Sequence, residues 1–277
     1  MKFAKTFALL ATIVASAVAH VSPAWGVSTD FNTWTQVQDP AHPNFTASVD
    51  TAAQISLFAG NGAVPIGTDI GYKSINGSTP ATSTAGFAFD PAASFQVAID
   101  FAFSLQNPVG GLGIGFGIGE DEDGENSAGV AVFTQNGIAI PVFAAGRVND
   151  ISQGLPILPP TTQLSGSFFA AYDATTGDVT VGVASAAGAN APTSTATFLG
   201  IQNSWGGGNL LASFFLRSDS PIQAWTSGNA TAVFSDFRVL AGTPTAAPEP
   251  GSLSLLALGG LTLTSLRRRW RRKAGSE

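Results

Sequence analysis

The sequence of 277 residues contains no cysteine and only two histidines, and charged residues make up 11% of it. Without cysteine, disulfide bonds and thiolate-ligated metal sites are excluded. His20 lies near the start, and His42 is bracketed by Pro40 and Pro43 in a segment typical of a surface turn. A single interior histidine disfavours a histidine-rich zinc site and a histidine-dependent catalytic triad. The low charge content excludes a charge-driven disordered chain.

Basic residues are scarce between the two ends of the chain. Lys2 and Lys5 open it, and six of the twelve cations fall between residues 267 and 273. The four that remain are Lys73, Arg147, Arg217 and Arg238. The same central part of the chain, which we call the body, also contains sixteen acidic residues. Such an acidic body repels phosphate backbones. We therefore expect no nucleic-acid partner.

The N-terminal residues have the pattern of a secretory signal peptide. Lys2 and Lys5 precede an apolar run from Phe7 to Val18, and Ala17 and Ala19 fit the small-residue rule for cleavage. We expect residues 1–19 to direct export by Sec-type machinery and to be removed. A later cut near Ala24 is the alternative.

The C-terminal residues combine three features in a fixed order. Pro248, Glu249 and Pro250 are followed by an apolar stretch at 251–266, and then by the basic residues Arg267, Arg268 and Arg269. A helix of that length spans about 24 Å, which predicts a short transmembrane helix. The positive-inside rule places the arginines in the cytoplasm and the preceding domain outside.

These features at residues 248–273 resemble the bacterial PEP-CTERM sorting signal. The resemblance implies recognition by a membrane-embedded exosortase, which cuts near Pro-Glu-Pro and discards the helix. It also implies a mature protein that is secreted or held at the cell surface, often together with extracellular polysaccharide. Residues 241–247, which are small, uncharged and proline-bearing, predict a flexible linker before the signal.

Residues 20–240 predict one all-β domain, a β-sandwich or jelly roll. From Ser94 to Leu105, apolar and polar residues alternate with the period of a strand. Gly111–Gly119 places apolar side chains on one face and only glycine on the other. Such glycines favour a close approach by another backbone or a bend, with a ligand surface as the alternative. Ten or more short strands and no repeat suit a single sandwich.

Three segments resemble the concanavalin A-like jelly rolls of lectins and laminarinase-like enzymes. They are FFAAYDATTGDVTVGVAS at 168–185, FSDFRVL at 234–240, and the long phenylalanine-rich strand that precedes the glycine-rich one. The resemblance implies glycan binding or polysaccharide chemistry. The laminarinase-like enzymes carry their catalytic acids as Glu-x-Asp-x-x-Glu, and this chain has no such spacing. We therefore assign no catalytic residue.

An acidic loop and two tryptophans complete the candidate site residues. Glu120, Asp121, Asp123 and Glu125 offer oxygen ligands on a glycine-bearing loop, which suits Ca²⁺, although a solvated turn would have the same composition. No other cofactor is predicted. Trp205 and Trp225 stand among small and polar residues and are candidates for stacking on sugars, or else for core packing.

The leading hypothesis is an exported, non-catalytic protein of the cell surface or extracellular matrix, with glycan binding as an extension of that hypothesis. One alternative is a secreted glycoside hydrolase or polysaccharide lyase whose carboxylates occupy other positions. The other alternative is an adhesin stiffened by calcium.

Overall fold

A computed structural model of the chain describes residues 29–77, 79, 82–120, 125–159, 163–218 and 223–246. The predicted signal peptide, Asp121, Asp123, the Pro-Glu-Pro motif, the helix at 251–266 and the arginines at 267–269 lie outside these residues. Within them, no helix is long and apolar enough to cross a membrane.

The described residues form strands joined by loops, with 3₁₀ turns at Phe31–Thr33 and Ile201–Ser204. The strands are β1 (Thr35–Asp39), β2 (Phe45–Thr51), β3 (Gln54–Ala59), β4 (Asp69–Lys73), β5 (Phe87–Ala88), β6 (Phe95–Val109), β7 (Gly111–Gly119), β8 (Ser127–Gln135), β9 (Ile138–Ala139), β10 (Val142–Val148), β11 (Ile151–Ser152), β12 (Ile157–Leu158), β13 (Ser165–Asp173), β14 (Asp178–Ala184), β15 (Ser194–Phe198), β16 (Leu211–Arg217), β17 (Ser227–Ala241) and β18 (Thr245–Ala246).

Two antiparallel sheets face each other as a jelly-roll sandwich. The nine-stranded sheet has the order β1-β4-β16-β7-β8-β10-β11, with β12 on β10 and β9 on β8. The seven-stranded sheet has the order β15-β14-β13-β6-β17-β3-β2. The chain crosses repeatedly between them, so that β16 enters between β4 and β7 and β17 enters between β3 and β6. The predicted all-β sandwich is confirmed.

The alternating sequence patterns explain how the core forms. On β6, Val97, Ile99 and Phe101 are buried on the inner face, as the pattern predicts. Phe101 stacks on Phe168 of the neighbouring strand β13, with ring centroids 3.9 Å apart. Phe214 of the nine-stranded sheet stacks on Phe234 of the seven-stranded sheet at 4.4 Å. Aromatic packing therefore joins the two sheets as well as neighbouring strands.

The C-terminal end of the described chain lies on the domain. Strand β17 continues to Ala241, and Thr245–Ala246 pairs with Phe87–Ala88 as a two-stranded sheet. Ala241, Thr245 and Ala246, which lie in the predicted linker, are therefore paired with other strands.

Candidate functional site

A groove of about 570 Å³ opens on the outer face of the nine-stranded sheet. We call it the glycine groove, because Gly117 of β7 and Gly129 of β8 line it side by side. On β7, Gly113, Gly115, Gly117 and Gly119 share the outer face, whereas the apolar residues between them, such as Ile114 and Phe116, point into the core and are fully buried. The strict alternation in the sequence therefore produces one face of core and one face of glycine.

Close packing explains why these positions are glycine. A Cβ atom at Gly113 would lie 2.4 Å from the ring of Phe133, and one at Gly115 would lie 2.5 Å from the ring of Phe215. At Gly117 a Cβ would lie 2.4 Å from the carbonyl oxygen of Ala128. The predicted close approach by another backbone is confirmed at Gly117, whereas at Gly113 and Gly115 the close neighbours are phenylalanine rings. The half-buried ring of Phe215 also lines the groove.

One row of residues runs straight across the strands. The register aligns Lys73, Ser213, Gly117, Gly129 and Ala145 on β4, β16, β7, β8 and β10, in that order. Four steps between strands of about 4.8 Å give the row a length of about 19 Å. Its middle carries only small side chains, so that an extended chain could lie directly on the backbone.

Basic side chains stand around this row. Lys73 lies at one end of it, Arg217 lies four residues from Ser213 along β16, and Arg147 lies on β10, two residues from Ala145. All three line the groove. The side chain of Arg147 is 39% exposed and forms an ion pair of 3.6 Å with Asp150. Such an exposed pair is weak and leaves the guanidinium accessible.

Asp69 is the one acid among the described residues that line the groove. It lies directly opposite Arg217 in the pairing of β4 with β16. Two facing carboxylates, as glycoside hydrolysis requires, are therefore not present among these lining residues.

Glu120 takes a structural position at the end of β7. Its carboxylate is 7% exposed and accepts hydrogen bonds from the backbone amides of Gly206 and Gly208. Trp205, just before them, donates from Nε1 to the carbonyl oxygen of Arg147 at 3.0 Å. Glu120 and Trp205 together hold the 205–208 loop against the strand that carries Arg147.

Both tryptophans proposed as sugar platforms are buried. Trp205 is 7% exposed, and Trp225 is fully buried with its Nε1 donating to the carbonyl oxygen of Gly60 at 2.9 Å. Neither ring offers a face to solvent, so the structure favours core packing, the other reading of these two positions.

The structure describes two of the four residues that were predicted to bind calcium. The described candidates are Glu120, whose oxygens already accept two amides, and Glu125, which is exposed. No group of three or more histidine, aspartate or glutamate side chains placed to hold a metal is found in the part of the chain that the structure describes. With Asp121 and Asp123 outside that part, calcium binding stays a prediction.

A second polar cluster lies on the seven-stranded sheet. Asp100 accepts from Ser167 Oγ at 2.6 Å and from Arg238 Nη2 at 2.9 Å, while the backbone of Gly188 donates to its other oxygen at 2.7 Å. Burial acts to lower the pKa of Arg238, but its hydrogen bonds to Asp100 and Asp236 outweigh burial and raise that pKa. The cluster holds the loop at 186–189 against the sheet. It includes Arg238, the fourth basic residue of the body.

The groove residues Lys73, Arg147, Arg217 and Phe215 were missed by the sequence prediction. The available signals were the rarity of cations in the body and the glycine face of β7. What the sequence does not reveal is the pairing of β16 with β7, which brings residues about one hundred positions apart into one row.

No protein-family profile and no curated protein matches the chain. Among solved structures, a β-glucanase from Bacillus licheniformis is similar, with 9% identity, 76% of this chain and 92% of that chain covered, and a TM-score of 0.45. An alginate lyase from Pseudomonas aeruginosa has 16% identity, with 76% and 98% covered and a TM-score of 0.43. A legume lectin-like domain from Entamoeba histolytica has 9% identity, with 74% and 95% covered and a TM-score of 0.41.

Proposed function

We propose that this chain is an exported, non-catalytic protein of the cell surface or extracellular matrix that binds an extended glycan in the glycine groove. The observation that carries the proposal is the row from Lys73 to Ala145, a side-chain-poor track bordered by polar and aromatic groups. Sugar rings have flat apolar faces and polar edges, so that they fit a surface of backbone, ring faces and charged side chains.

The side chains around the track support binding rather than turnover. Asp69 alone would have to serve as both acid and base among the described lining residues, whereas glycoside hydrolysis uses two carboxylates. Phe215 packs one side of its ring on Gly115 and remains half-buried at the groove. It is the stacking position that we propose in place of the two tryptophans.

A bulky side chain placed in the row from Lys73 to Ala145 tests the binding proposal. In the mature protein, Ser213→Trp places a bulky ring in the row, and we expect it to lower affinity for glycans in affinity electrophoresis by about tenfold or more. Ser104→Trp is the matched control, because Ser104 is exposed on the outer face of the seven-stranded sheet. Equal binding by both variants, at equal melting midpoints, would place the ligand elsewhere.

We also propose that residues 1–19 direct export through Sec-type machinery, and that residues 248–273 act as an exosortase-dependent sorting signal. The sequence order of Pro248–Glu249–Pro250, an apolar stretch and arginines supports this proposal. Before processing, the apolar stretch would hold the protein in the membrane, with the domain outside.

Removing the positive charges tests the sorting proposal. Replacing Arg267, Arg268 and Arg269 together by Ser should leave unprocessed protein in the membrane fraction or change its orientation, since these cations set which end stays inside. Cell fractionation and the intact mass of the released protein measure both effects. Normal release with normal mass would contradict the proposal.

A further inference from the structure

A group of apolar side chains lies on the outer face of the nine-stranded sheet, where β8, β9, β10 and β12 meet. Ile157 stands opposite Phe143 in the pairing of β12 with β10, and the ring of Phe143 lies 6.0 Å from the ring of Phe133 on β8. Ile138 on β9 stands opposite the residue two positions beyond Phe133, so it shares their face. Leu155 precedes Ile157 by two residues and continues that face. We call this group the edge patch: Phe133, Ile138, Phe143, Leu155 and Ile157.

The aliphatic members of the edge patch are strongly exposed. Ile138 is 71% exposed, Leu155 is 62% exposed and Ile157 is 54% exposed, and the two phenylalanine rings are half-buried. Single exposed apolar residues are normal on a protein surface. A contiguous group of them on one sheet face indicates a site of interaction.

The edge patch lies in the uncharged part of an acidic body. Between residues 126 and 172 the sequence contains two charged residues, Arg147 and Asp150, which form an ion pair of 3.6 Å. The other fifteen acids of the body lie outside that segment. Because like charges oppose contact, two copies of the chain repel each other over most of their surfaces. That repulsion is weakest at the edge patch.

The border of the edge patch is polar but uncharged. Gln135 and Asn136 lie beside Ile138, and Gln153 lies close to Leu155 in sequence. An apolar centre without charge inside a polar rim is the composition of interfaces between proteins. A membrane-binding face carries Lys, Arg or Trp beside its apolar residues, and none of these types is among the patch and border residues. Sugars need hydrogen-bonding partners that aliphatic side chains lack.

The size of the edge patch predicts a weak and reversible contact. The patch extends two strand steps from β8 to β12, about 10 Å, and about 20 Å along the strands from Ile138 to Leu155. Its area, on the order of 300 Å², is that of the larger apolar patches on single proteins. A standard interface buries about 800 Å² on each partner. The polar border therefore has to contribute to the contact as well.

Two prolines oppose the addition of a further strand at this edge. Pro156 and Pro159 flank the two residues of β12, and neither has a backbone N–H to donate. Contact between two copies at the edge patch is therefore made by side chains.

We propose that the edge patch is the interface of a symmetric dimer, in which a second copy of this chain covers the patch with its own. A twofold axis brings the same surface of both copies together, which suits a patch that is apolar throughout and carries no charge to be matched. A dimer of this kind does not require a glycan in the glycine groove.

Sedimentation velocity of the mature protein over a range of concentrations tests the dimer. We expect a reversible equilibrium between monomer and dimer with a dissociation constant in the micromolar range. Ile157→Glu and Ile138→Glu should each weaken it by about tenfold or more, because each would bury an unpaired carboxylate. Leu199→Glu is the matched control, since it makes the same change in charge at a side chain that is 81% exposed and lies outside the patch. It should leave the equilibrium unchanged.

The absence of cysteine permits a direct measurement of burial. Ile157→Cys and Leu199→Cys each place a single thiol in the chain. As the protein concentration rises, a maleimide should modify the thiol at position 157 several-fold more slowly, whereas the rate at position 199 should stay constant.

Three results would overturn the dimer. The first is a mature protein that stays monomeric at about 100 µM. The second is a dimer that Ile157→Glu and Ile138→Glu leave unchanged, or that Leu199→Glu weakens equally. The third is a monomer that binds phosphatidylcholine vesicles and loses this binding in Ile157→Glu, which would assign the edge patch to a lipid surface.

Discussion

Individual residues show the largest difference between sequence prediction and structure. Trp205 and Trp225 stand in glycine-rich and polar surroundings that resemble exposed loops, yet their rings are buried and their Nε1 atoms bond to backbone carbonyls. Local composition does not reveal burial of this kind, because the groups that cover each ring come from distant parts of the chain. Glu120 was similarly predicted as a metal ligand, and in the structure its oxygens accept hydrogen bonds from two backbone amides.

Glu120 should therefore contribute to stability through the loop that it holds. Replacing it by Ala leaves the amides of Gly206 and Gly208 without their acceptor, and we expect a loss of about 1–3 kcal/mol in the free energy of unfolding. Urea denaturation of the mature protein measures it. Glu125→Ala is the control, since Glu125 is exposed, and surface changes of this kind stay within about 0.5 kcal/mol.

A chelator distinguishes this role from metal binding at Glu120. If the carboxylate acts only on the two amides, EDTA leaves the melting midpoint of the mature protein unchanged. A midpoint that falls with EDTA and is restored by calcium would instead support the predicted ion.

Asp50 makes stability depend on pH at the acid end. Hydrogen bonds from Ser56, Gln54 and Ser48 lower the pKa of its carboxyl below the ordinary value of 3.8. A carboxyl with a lowered folded pKa stabilises the protein above its ordinary pKa, and the contribution is lost as pH falls through the folded value. Denaturation curves recorded on both sides of 3.8 should show this loss, and Asp50→Asn should reduce it. If Asp50→Asn loses as much stability as the parent protein when the pH falls below 3.8, the assignment to Asp50 is wrong.

At the scale of elements, the strands with strict alternation were predictable and their partners were not. The faces of β6 and β7 follow directly from period-two patterns, and Asp173 and Asp178 flank a hairpin that the turn residues indicate. The insertion of β16 between β4 and β7 has no local signal, because it depends on pairing across the whole chain. The groove lies on that pairing and could not be predicted for the same reason.

The cost in stability of replacing a glycine by alanine should differ between positions on strand β7. At Gly117 a new Cβ would meet the backbone of Ala128 and Gly129, which cannot move without breaking the ladder, whereas at Gly115 the nearest atoms belong to the ring of Phe215. We expect Gly117→Ala to cost about 1–3 kcal/mol and Gly115→Ala to cost less, because an aromatic ring can rotate away.

Thermal or urea unfolding measures both costs. Gly60→Ala serves as the reference, since its Cβ would only meet the carbonyl oxygen of Asn44 at an ordinary 3.6 Å. The steric account fails if Gly117→Ala unfolds like Gly60→Ala.

At the scale of the whole molecule, the sandwich shields its two tyrosines. Burial raises the pKa of Tyr72 and of Tyr172 above the ordinary value of 10.0, and nearby aspartates add to the effect. The folded protein therefore favours the neutral phenols more strongly than the unfolded chain does. The contribution of the two tyrosines to stability should be constant below pH 10.0 and should fall as pH rises above it.

Alkaline denaturation of Tyr72→Phe and Tyr172→Phe tests this expectation. Each variant removes one ionisable phenol, so each should show a shallower loss of stability above 10.0 than the parent protein. If the double variant loses stability as steeply as the parent, the tyrosines are not the cause.

The glycine floor of the groove has a consequence for how its selectivity can change during evolution. At Gly117 and Gly129 a new methyl group would meet backbone atoms of the facing strand. Substitutions at these two positions are therefore opposed by folding, whatever the ligand. Diversification among descendants of this domain would be confined to the rim, where an exchange at position 147 or 217 changes the surface that a ligand meets while the strands underneath keep their sequence.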